Sequence, residues 1–377
     1  MAEGKEDRAT KVTLDMGTAY DFFTSLYVLF EPKRFGVRGS WASGMLARLN
    51  AESRDTLSRA MHLVGSPVHL VPALPEPRSA ETLLWHLGQR DPIERLQDLA
   101  SPWYLRECGC TSVLADVAKR GEWTAEDRQR LGEALREGAP EKAIREEALT
   151  ETLDAWADAE ALSEAYLAAL RNYYDVFFQE EEKRILPAIE AAGKRIAERA
   201  QALDLSDLIE EISVGLRFEG LPSAVEYILA PSFWVTPLLM QMRIDADRML
   251  FVFGARSASD SVVPGETIPD GLIRGLKGLS DPTRLKILRL VARKPMGAAE
   301  LARSLRLRTP TVLHHIHGLR LSGLVQIRMP DAGAKQRSLF ALRPQGVQTV
   351  MAMLDAFLNT SDRTAGNEED AASANDG

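Results

Sequence analysis

Cysteine is nearly absent from this chain of 377 residues, which contains only Cys108 and Cys110, separated by one glycine. Two cysteines cannot form a disulfide framework, and this scarcity is typical of proteins in a reducing compartment. No apolar run approaches the length of a membrane span. The first residues, MAEGKEDRATK, are charged and lack the apolar segment of a secretory signal. We therefore expect a cytoplasmic location and no membrane partner.

Motifs of the common enzyme classes are also missing. The sequence has no nucleophile elbow, phosphate-binding loop, glycine-rich dinucleotide fingerprint or HExxH motif. His62, His69 and His86 stand among apolar neighbours, where we interpret a histidine as structural. We therefore expect no catalytic residues, no cofactor and no enzymatic activity.

Charge is distributed unevenly along the chain. The formal net charge is −8, yet residues 270–343 contain 15 lysines and arginines against 4 acidic residues, a local charge of +11 that leaves −19 on the remainder. A basic module joined to an acidic body is the usual electrostatic signature of a nucleic-acid-binding domain attached to a second domain. The alternative is a solvated charged face without a partner.

Composition and hydrophobic periodicity divide the chain into parts. After a frayed start at 1–14, residues 15–255 predict a mostly helical domain with a regulatory or sensory role. Near its end, the segment SAVEYILAPSFWVTPLLMQMRIDADRMLFVFGA is rich in β-branched and aromatic residues, which predicts a β-hairpin or small sheet. Residues 256–269 are predicted to be a linker, 270–360 a second domain, and 361–377 a disordered acidic tail.

The second domain shows three successive helix patterns. The tripeptide SDP at 280–282 is a typical helix start, and the following segment AAELARSL has its apolar residues on one stripe. In TPTVLHHIHGLRLSG, Thr309 is the predicted cap, Pro310 the first helical residue and Gly323 the end of the helix.

Two predicted strands, near 324–329 and 336–342, and an apolar terminal helix complete the domain. The order helix, helix, turn, helix, β-ribbon and helix predicts a winged helix-turn-helix. The predicted fold class is therefore mainly α with small β elements: a large helical N-terminal domain with a β-hairpin or small sheet, followed by a winged helix-turn-helix.

Three segments, LKGLSDPTRLKILRLVA, AAELARSL and TPTVLHHIHGLRLSGLV, resemble the ArsR/SmtB group of bacterial transcription regulators. The resemblance covers about 270–360 and implies a DNA-binding repressor that dimerises through its terminal apolar helix and the short helix GLIRGLKGL. The preceding part of the chain resembles a domain of unknown function attached to such winged helices. Leu313 stands where the family has serine, and Gly318 stands where it has a non-glycine residue.

A helix that enters the major groove needs polar and cationic side chains on its N-terminal half and outer face. His314 and His315 match the paired positions that lie near DNA in the resembled family, and Arg320 is predicted to reach a phosphate. The hairpin cations are predicted to hold the adjacent backbone or minor groove. The predicted DNA-binding residues are Arg308, Thr309, Thr311, His314, His315, Arg320, Arg328, Lys335 and Arg337.

His314, His315 and His317 lie within four positions, so a metal site is the competing interpretation. Such a site needs three or four ligands. Metal-sensing members of the resembled family carry a Cys-x-Cys pair in the preceding helix or His and Asp on the terminal helix. Here the preceding helix has no ligand and the terminal helix offers only Asp355, so we predict no metal ligands. The Cys108-Gly-Cys110 motif lies outside this module and suits a soft metal, a thiol switch or simple packing.

We therefore predict a sequence-specific transcriptional repressor that binds a double-stranded DNA operator as a homodimer. Its N-terminal domain is predicted to sense a small-molecule effector or a partner. The alternatives are an enzyme with an auxiliary winged helix and a protein-interaction module. The charge of +11 argues against the latter, because a protein-binding winged helix does not need so many cations that match phosphates.

Overall fold

The computed structural model describes residues 11–100, 103–138, 145–257, 260–330 and 337–359. Helices dominate this part of the chain and the strands form two small sheets, which confirms the predicted mainly α class. None of the helices described combines the length and the apolarity that a bilayer crossing requires. The predicted tail at 361–377 lies outside the described residues.

The chain divides into two compact units. The first contains the described residues up to 198 together with 223–255, and the second contains 199–222 together with those from 256 onward. The sequence predicts a single domain over 15–255, whereas the structure places 199–222 in the other unit. The reason is the strand Leu216–Phe218 in this segment, which pairs with Val325–Met329 in the predicted β-ribbon, the wing, of the second unit.

The first unit is mainly helical. One 3₁₀ segment, Val68–Ala73, and one π-helical segment, Tyr174–Phe178, interrupt the α-helices. The last residues of its final helix belong to the second unit. The α-helices are α1 Ala19–Phe30, α2 Pro32–Phe35, α3 Gly39–Leu46, α4 Ala51–Leu63, α5 Ala80–Gln89, α6 Pro92–Ala100, α7 Trp103–Glu107, α8 Cys110–Arg120, α9 Ala125–Gly138, α10 Glu146–Ala157, α11 Ala159–Tyr173 and α12 Gln179–Ala202.

Aromatic packing around α1 forms much of the core of this unit. The ring of Phe22 lies 5.5 Å from that of Tyr173 and 5.2 Å from that of Phe178, measured between centroids. All three side chains are at most 1% exposed. Rings at these separations add specific edge and tilted contacts to the burial of apolar surface, which explains why the TAYDFFTSLYVLF segment forms a central helix.

One carboxylate is buried in the same core. Asp21 is 0% exposed, and its Oδ1 accepts hydrogen bonds from Ser232 Oγ at 2.8 Å and from the Trp234 backbone N at 3.2 Å. Burial disfavours the charged form and raises the pKa of Asp21 from its usual 3.8 to about 7, although these hydrogen bonds act in the opposite direction. The carboxyl therefore titrates near neutral pH.

Seven strands form the two sheets of the described chain. In chain order they are β1 Lys11–Leu14, β2 Leu216–Phe218, β3 Glu226–Ser232, β4 Leu239–Arg243, β5 Arg248–Gly254, β6 Val325–Met329 and β7 Leu339–Leu342. The first unit contains the sheet β1-β3-β5-β4, in which β4 and β5 are the predicted antiparallel hairpin. Its turn lies at 244–247, as the sequence DADR indicates.

The prediction of a frayed start is wrong for residues 11–14. This segment is β1, which pairs in parallel with β3 from Lys11 opposite Glu226 to Leu14 opposite Leu229. Four residues are too few to show the alternation that identifies a strand in a sequence. Only the partner strand, more than 200 positions away, makes the segment extended.

The second unit contains the predicted winged helix-turn-helix. Its helices are α13 Leu205–Ile212, α14 Asp270–Ser280, α15 Pro282–Val291, α16 Ala298–Leu305, α17 Thr309–Leu321 and α18 Pro344–Asn359, and its sheet has the order β2-β6-β7. Apolar residues from α15, α16, α17, the hairpin and α18 share one core. The predicted linker 256–269 packs onto this unit at Val262, which is 2% exposed and whose backbone N donates to Asp270 Oδ2.

Local signals explain the ends of these helices. Asp281 caps α15 by accepting a hydrogen bond from the Arg284 backbone N at 2.8 Å, as the SDP motif predicts. Gly323 follows α17 with φ of 67°, which confirms the predicted left-handed end. The predicted cap at Thr309 is wrong by one position, because Arg308 is the N-cap, with no side-chain capping bond, and Thr309 is the first helical residue.

Candidate nucleic-acid interface

The rotation of α17 is set by its apolar residues. Val312, Ile316 and Leu319 are 0%, 3% and 0% exposed and face the shared core. Their spacing of four and three residues marks one side of a helix. The opposite side is therefore turned to solvent, where Thr311, Leu313 and His314 are exposed, and Arg308 and Thr309 are exposed at the start of the helix.

The end of α16 and the turn before α17 add cations that sequence reasoning missed. Arg303 and Arg306 are exposed, as is Arg308. Arg306 ends α16 in a left-handed conformation with φ of 56°. No acidic residue occurs between Glu300 and Asp331, so nothing in that stretch neutralises these arginines. This absence is visible in the sequence and is the signal that identifies the set.

Leu313, the position where the resembled family has serine, is 46% exposed on the outer side of α17. A leucine so placed gains nothing from the core of its own unit. Apolar side chains in a major groove contact the thymine methyl group. The departure from the family pattern therefore changes the chemistry of the surface and leaves the packing of the helix intact.

His315 does not join this exposed set, contrary to the prediction. Its side chain is 16% exposed, and its Nδ1 lies 3.7 Å from Oδ1 of Asp281, the cap of α15. The pKa of Asp281 is lowered, first by the hydrogen bond from the Arg284 backbone N and further by His315. His315 thus faces the start of α15, and of these two histidines only His314 is exposed.

The prediction that Arg320 reaches a phosphate is also wrong. Its side chain is 6% exposed, and its guanidinium donates to the backbone carbonyls of Val214, at 3.1 Å, and Ser213. Burial, and secondarily Arg343, lowers the pKa of Arg320 to about 10, so it stays charged at neutral pH. Arg320 lies four positions after Ile316 and therefore on the inner side of the helix.

The wing provides the remaining predicted cations. Arg328 in β6 is half-buried, and its Nε donates to Gln326 Oε1 at 3.1 Å. Arg337 is exposed just before β7. Lys335 lies outside the described residues. Arg337 is therefore accessible to a partner, whereas one donor of Arg328 is already engaged in a hydrogen bond with Gln326.

Gly318, the second departure from the family pattern, is explained by a crossing side chain. A Cβ at this position would lie 2.6 Å from Nη2 and 2.7 Å from Cζ of Arg284. Arg284 reaches across from α15, and its Nη1 donates to the backbone carbonyl of Lys277 at 3.1 Å. The glycine makes room for the guanidinium at the expense of helix propensity.

Metal and thiol chemistry find little support in the described residues. Nowhere among them do three or more His, Cys, Asp or Glu side chains gather as a metal site. Cys108 and Cys110 are free, and Cys110 is 1% exposed. Burial raises the pKa of the Cys110 thiol, and Cys108 raises it further. A raised pKa disfavours the reactive thiolate, which supports the packing interpretation of this pair.

The first unit has an open groove of about 740 Å³ between α4, α10 and α11. Its apolar part is formed by Leu63, Leu162 and neighbouring alanines, and its polar part includes Arg59 and Asp154. This volume lies within the range of small-molecule sites, roughly 300–1,000 Å³.

Three helices, a β-wing and exposed arginines at the start of the third helix, with no acidic residue in the same stretch, define a winged helix-turn-helix of the DNA-binding class. Residues 281–326, which run from the cap of α15 into β6, match the family described as bacterial regulatory protein, arsR family. The chain therefore carries an ArsR-type helix-turn-helix, the module of DNA-binding transcription regulators, and the resemblance is confirmed for these residues. No curated protein and no solved structure matches the chain.

Proposed function

We propose that this protein is a sequence-specific transcriptional repressor that acts on DNA in the cytoplasm. The observation that carries the proposal is the exposed surface of α17, with Arg308 and Thr309 at its N-terminal end and His314 beside Leu313 on its outer side. Polar and apolar groups on one helix face suit the edges of bases in a major groove. The arginines of the preceding turn suit phosphates.

We further propose a homodimer built on α14 and α18. These helices pack closely, since a Cβ on Gly275 would lie 2.4 Å from Val350 Cγ2. Their outer sides leave large apolar residues exposed: Leu276 is 37%, Met351 48% and Leu358 63% exposed. A two-fold dimer would place two α17 helices about 34 Å apart, one turn of DNA, and would favour an inverted-repeat operator.

The first unit is proposed to be the sensor. Its groove of about 740 Å³ has the size of a small-molecule site. An effector controls DNA binding only if its affinity differs between the DNA-competent and incompetent states. We propose that this unit has no catalytic role. Turnover of a substrate by the protein would contradict this part of the proposal.

The test is selection of duplexes from a random-sequence pool by the full-length protein, followed by titration over a salt series. We expect an enriched inverted repeat and affinity that falls steeply as salt rises, because phosphate contacts release counterions. Repression predicts higher transcript levels from genes beside the selected site when the protein is deleted. Failure to retain any duplex at low ionic strength would reject the proposal.

One variant links the wing to this test. Arg337→Ala should weaken binding to all duplexes to a similar degree and reduce the salt slope by about one, as removal of one phosphate contact requires. An unchanged slope would mean that the exposed Arg337 does not contact DNA.

A further inference from the structure

A segment from outside the winged helix-turn-helix is built into it. The α13–β2 segment, Leu205–Phe218, belongs to the second unit although the chain runs through the first unit before and after it. Its strand β2 pairs in parallel with β6, the first strand of the wing, with Leu216 opposite Ile327. The backbone N of Ile327 donates to the Gly215 carbonyl at 2.8 Å. The wing sheet therefore has a third strand.

The same segment is bound to the recognition helix α17. Arg320, near the end of α17, donates to the carbonyls of Ser213 and Val214, which directly follow α13. Carbonyls at a helix C-terminus lack intrahelical partners and carry partial negative charge, so they suit a guanidinium. Val214 has φ of 55°, a left-handed conformation that a β-branched residue adopts only when its surroundings impose it.

Glu210 connects the segment to the wing through side chains. One carboxylate oxygen accepts from Gln326 Nε2 of β6, and the other accepts from Arg217 Nη1 of β2 at 2.8 Å. The carboxylate thus joins α13, β2 and β6. Together with Arg320, it holds the recognition helix and the wing on a single support.

We propose that the α13–β2 segment positions the DNA-reading surface, with Arg320 and Glu210 as its positioning residues. The inference rests on the proposed DNA-binding function and adds to it. For α17 to enter a groove while the wing contacts the flanking DNA backbone, the two elements must be held in a fixed relative position. One support that binds both α17 and β6 fixes that relation.

The same segment also provides a covalent connection through which the first unit could affect DNA binding. The chain leaves the first unit at 198/199 and re-enters it at 222/223, so both ends of the segment are covalently continuous with that unit. A ligand-linked change that displaces either end would loosen α17 and β6 together. Such a change shifts the population of the DNA-competent state.

Glu210→Ala in the full-length protein is the decisive variant, because a positioning role and a purely electrostatic role predict opposite changes in affinity for the operator. Removing a carboxylate from a DNA-binding unit should strengthen binding to a polyanion if charge alone matters. If Glu210 positions the wing, affinity for the selected operator falls about tenfold. Affinity for a shuffled duplex of the same length stays within about twofold, since non-specific binding depends on phosphates.

Glu211→Ala is the matched control. It removes the same charge from the same helix, and Glu211 pairs with Arg199 and is not bonded to β6. Its operator affinity should stay equal or rise slightly. Amide exchange at Ile327, whose N–H is bonded to Gly215, should accelerate in Glu210→Ala and stay unchanged in Glu211→Ala.

Arg320→Ala tests the second connection, with Arg320→Lys as partial rescue because lysine keeps the charge but not the two-pronged geometry. Operator loss with intact binding to the shuffled duplex supports the inference. Equal losses on both duplexes, or Glu210→Ala that binds the operator as well as the unmodified protein does, overturn it. Failure of the unmodified protein to bind any duplex would instead reject the proposed function, and the exchange measurement would still report whether the segment holds β6.

Discussion

The side chains of α17 differ in what they contact although they are neighbours in the chain. His314 is exposed, while His315, one position later, faces Asp281 and is 16% exposed. A rotation of about 100° per residue separates adjacent side chains on a helix. The two histidines therefore cannot contact one partner equally, and in the proposed complex base recognition is assigned to His314.

Leu313 gives the first prediction at this scale. Leu313→Ser should lower affinity for operators that carry thymine at the contacted position and change the preferred base there, because the apolar contact with the thymine methyl is lost. Its thermal stability should be unchanged, since the side chain is 46% exposed. Base-by-base operator variants measure the preference; an unaltered preference would show that Leu313 does not meet a base.

Gly318 and Arg284 give the second prediction, a pair of coupled substitutions. Gly318→Ala alone should change the free energy of unfolding little, because the gain in helix propensity, about 1 kcal/mol, is offset by displacement of the Arg284 guanidinium. In an Arg284→Ala background the displacement is absent, and Gly318→Ala should stabilise the protein by about 1 kcal/mol. Denaturant unfolding of the four proteins measures the coupling; strictly additive effects would contradict the contact.

At the scale of elements, α18 combines an inner side that completes the core with an outer side that is apolar and exposed. Val350 is 1% exposed and Leu358 63% exposed on the same helix. Exposed apolar residues grouped on neighbouring elements are typical of interaction surfaces. The helix thus completes the core of its own unit and carries the exposed apolar surface on which the proposed dimer would form.

Leu358→Glu should convert the proposed dimer to a monomer, because a charge cannot be buried at an apolar two-fold interface without a partner. Folding should survive, since the position is exposed in the single chain. Sedimentation velocity measures the change, with Gln348→Glu, another exposed position of α18, as the control. Operator affinity should fall when the dimer is lost. A Leu358→Glu protein that remains dimeric would show that the interface lies elsewhere.

The whole molecule joins a strongly basic segment, residues 270–343, to an acidic remainder, and the first unit contains a buried acidic group whose protonation affects its stability. In the first unit, the carboxyl of Asp21 titrates near pH 7 because it is buried. The folded state therefore binds a proton that the unfolded state has released above about pH 4. This proton contributes stability that is present at acidic pH and is lost as pH rises toward 7.

Asp21→Asn should remove this dependence. Between pH 5 and 8 the unmodified protein should lose about 3 kcal/mol of stability relative to the variant, which cannot ionise, because about two pH units of this range lie below the folded-state pKa of about 7. Calorimetric melting of both proteins across this range measures the difference. Parallel curves would show that Asp21 is not the titrating group.

Much of the second unit can be predicted from local sequence patterns. The SDP cap, the glycine after α17 and the apolar spacing of α16 and α17 act within a few residues, so the helix-turn-helix, the hairpin and the exposed half of α17 follow from them. The buried side of α17 also indicates that Arg320 points inward, at four positions from Ile316. That signal favours a structural role for this cation over a phosphate contact.

The amino-acid sequence by itself determined the helical class, the winged helix-turn-helix and its cationic recognition turn, because these depend on spacing, caps and charge within short stretches. The tertiary structure alone decided that β1 forms, that His315 turns to Asp281, and that Arg320 meets Ser213 at 107 positions' separation. Such contacts depend on surfaces brought together by folding, and a three-residue strand such as β2 has too little periodicity to reveal its partner.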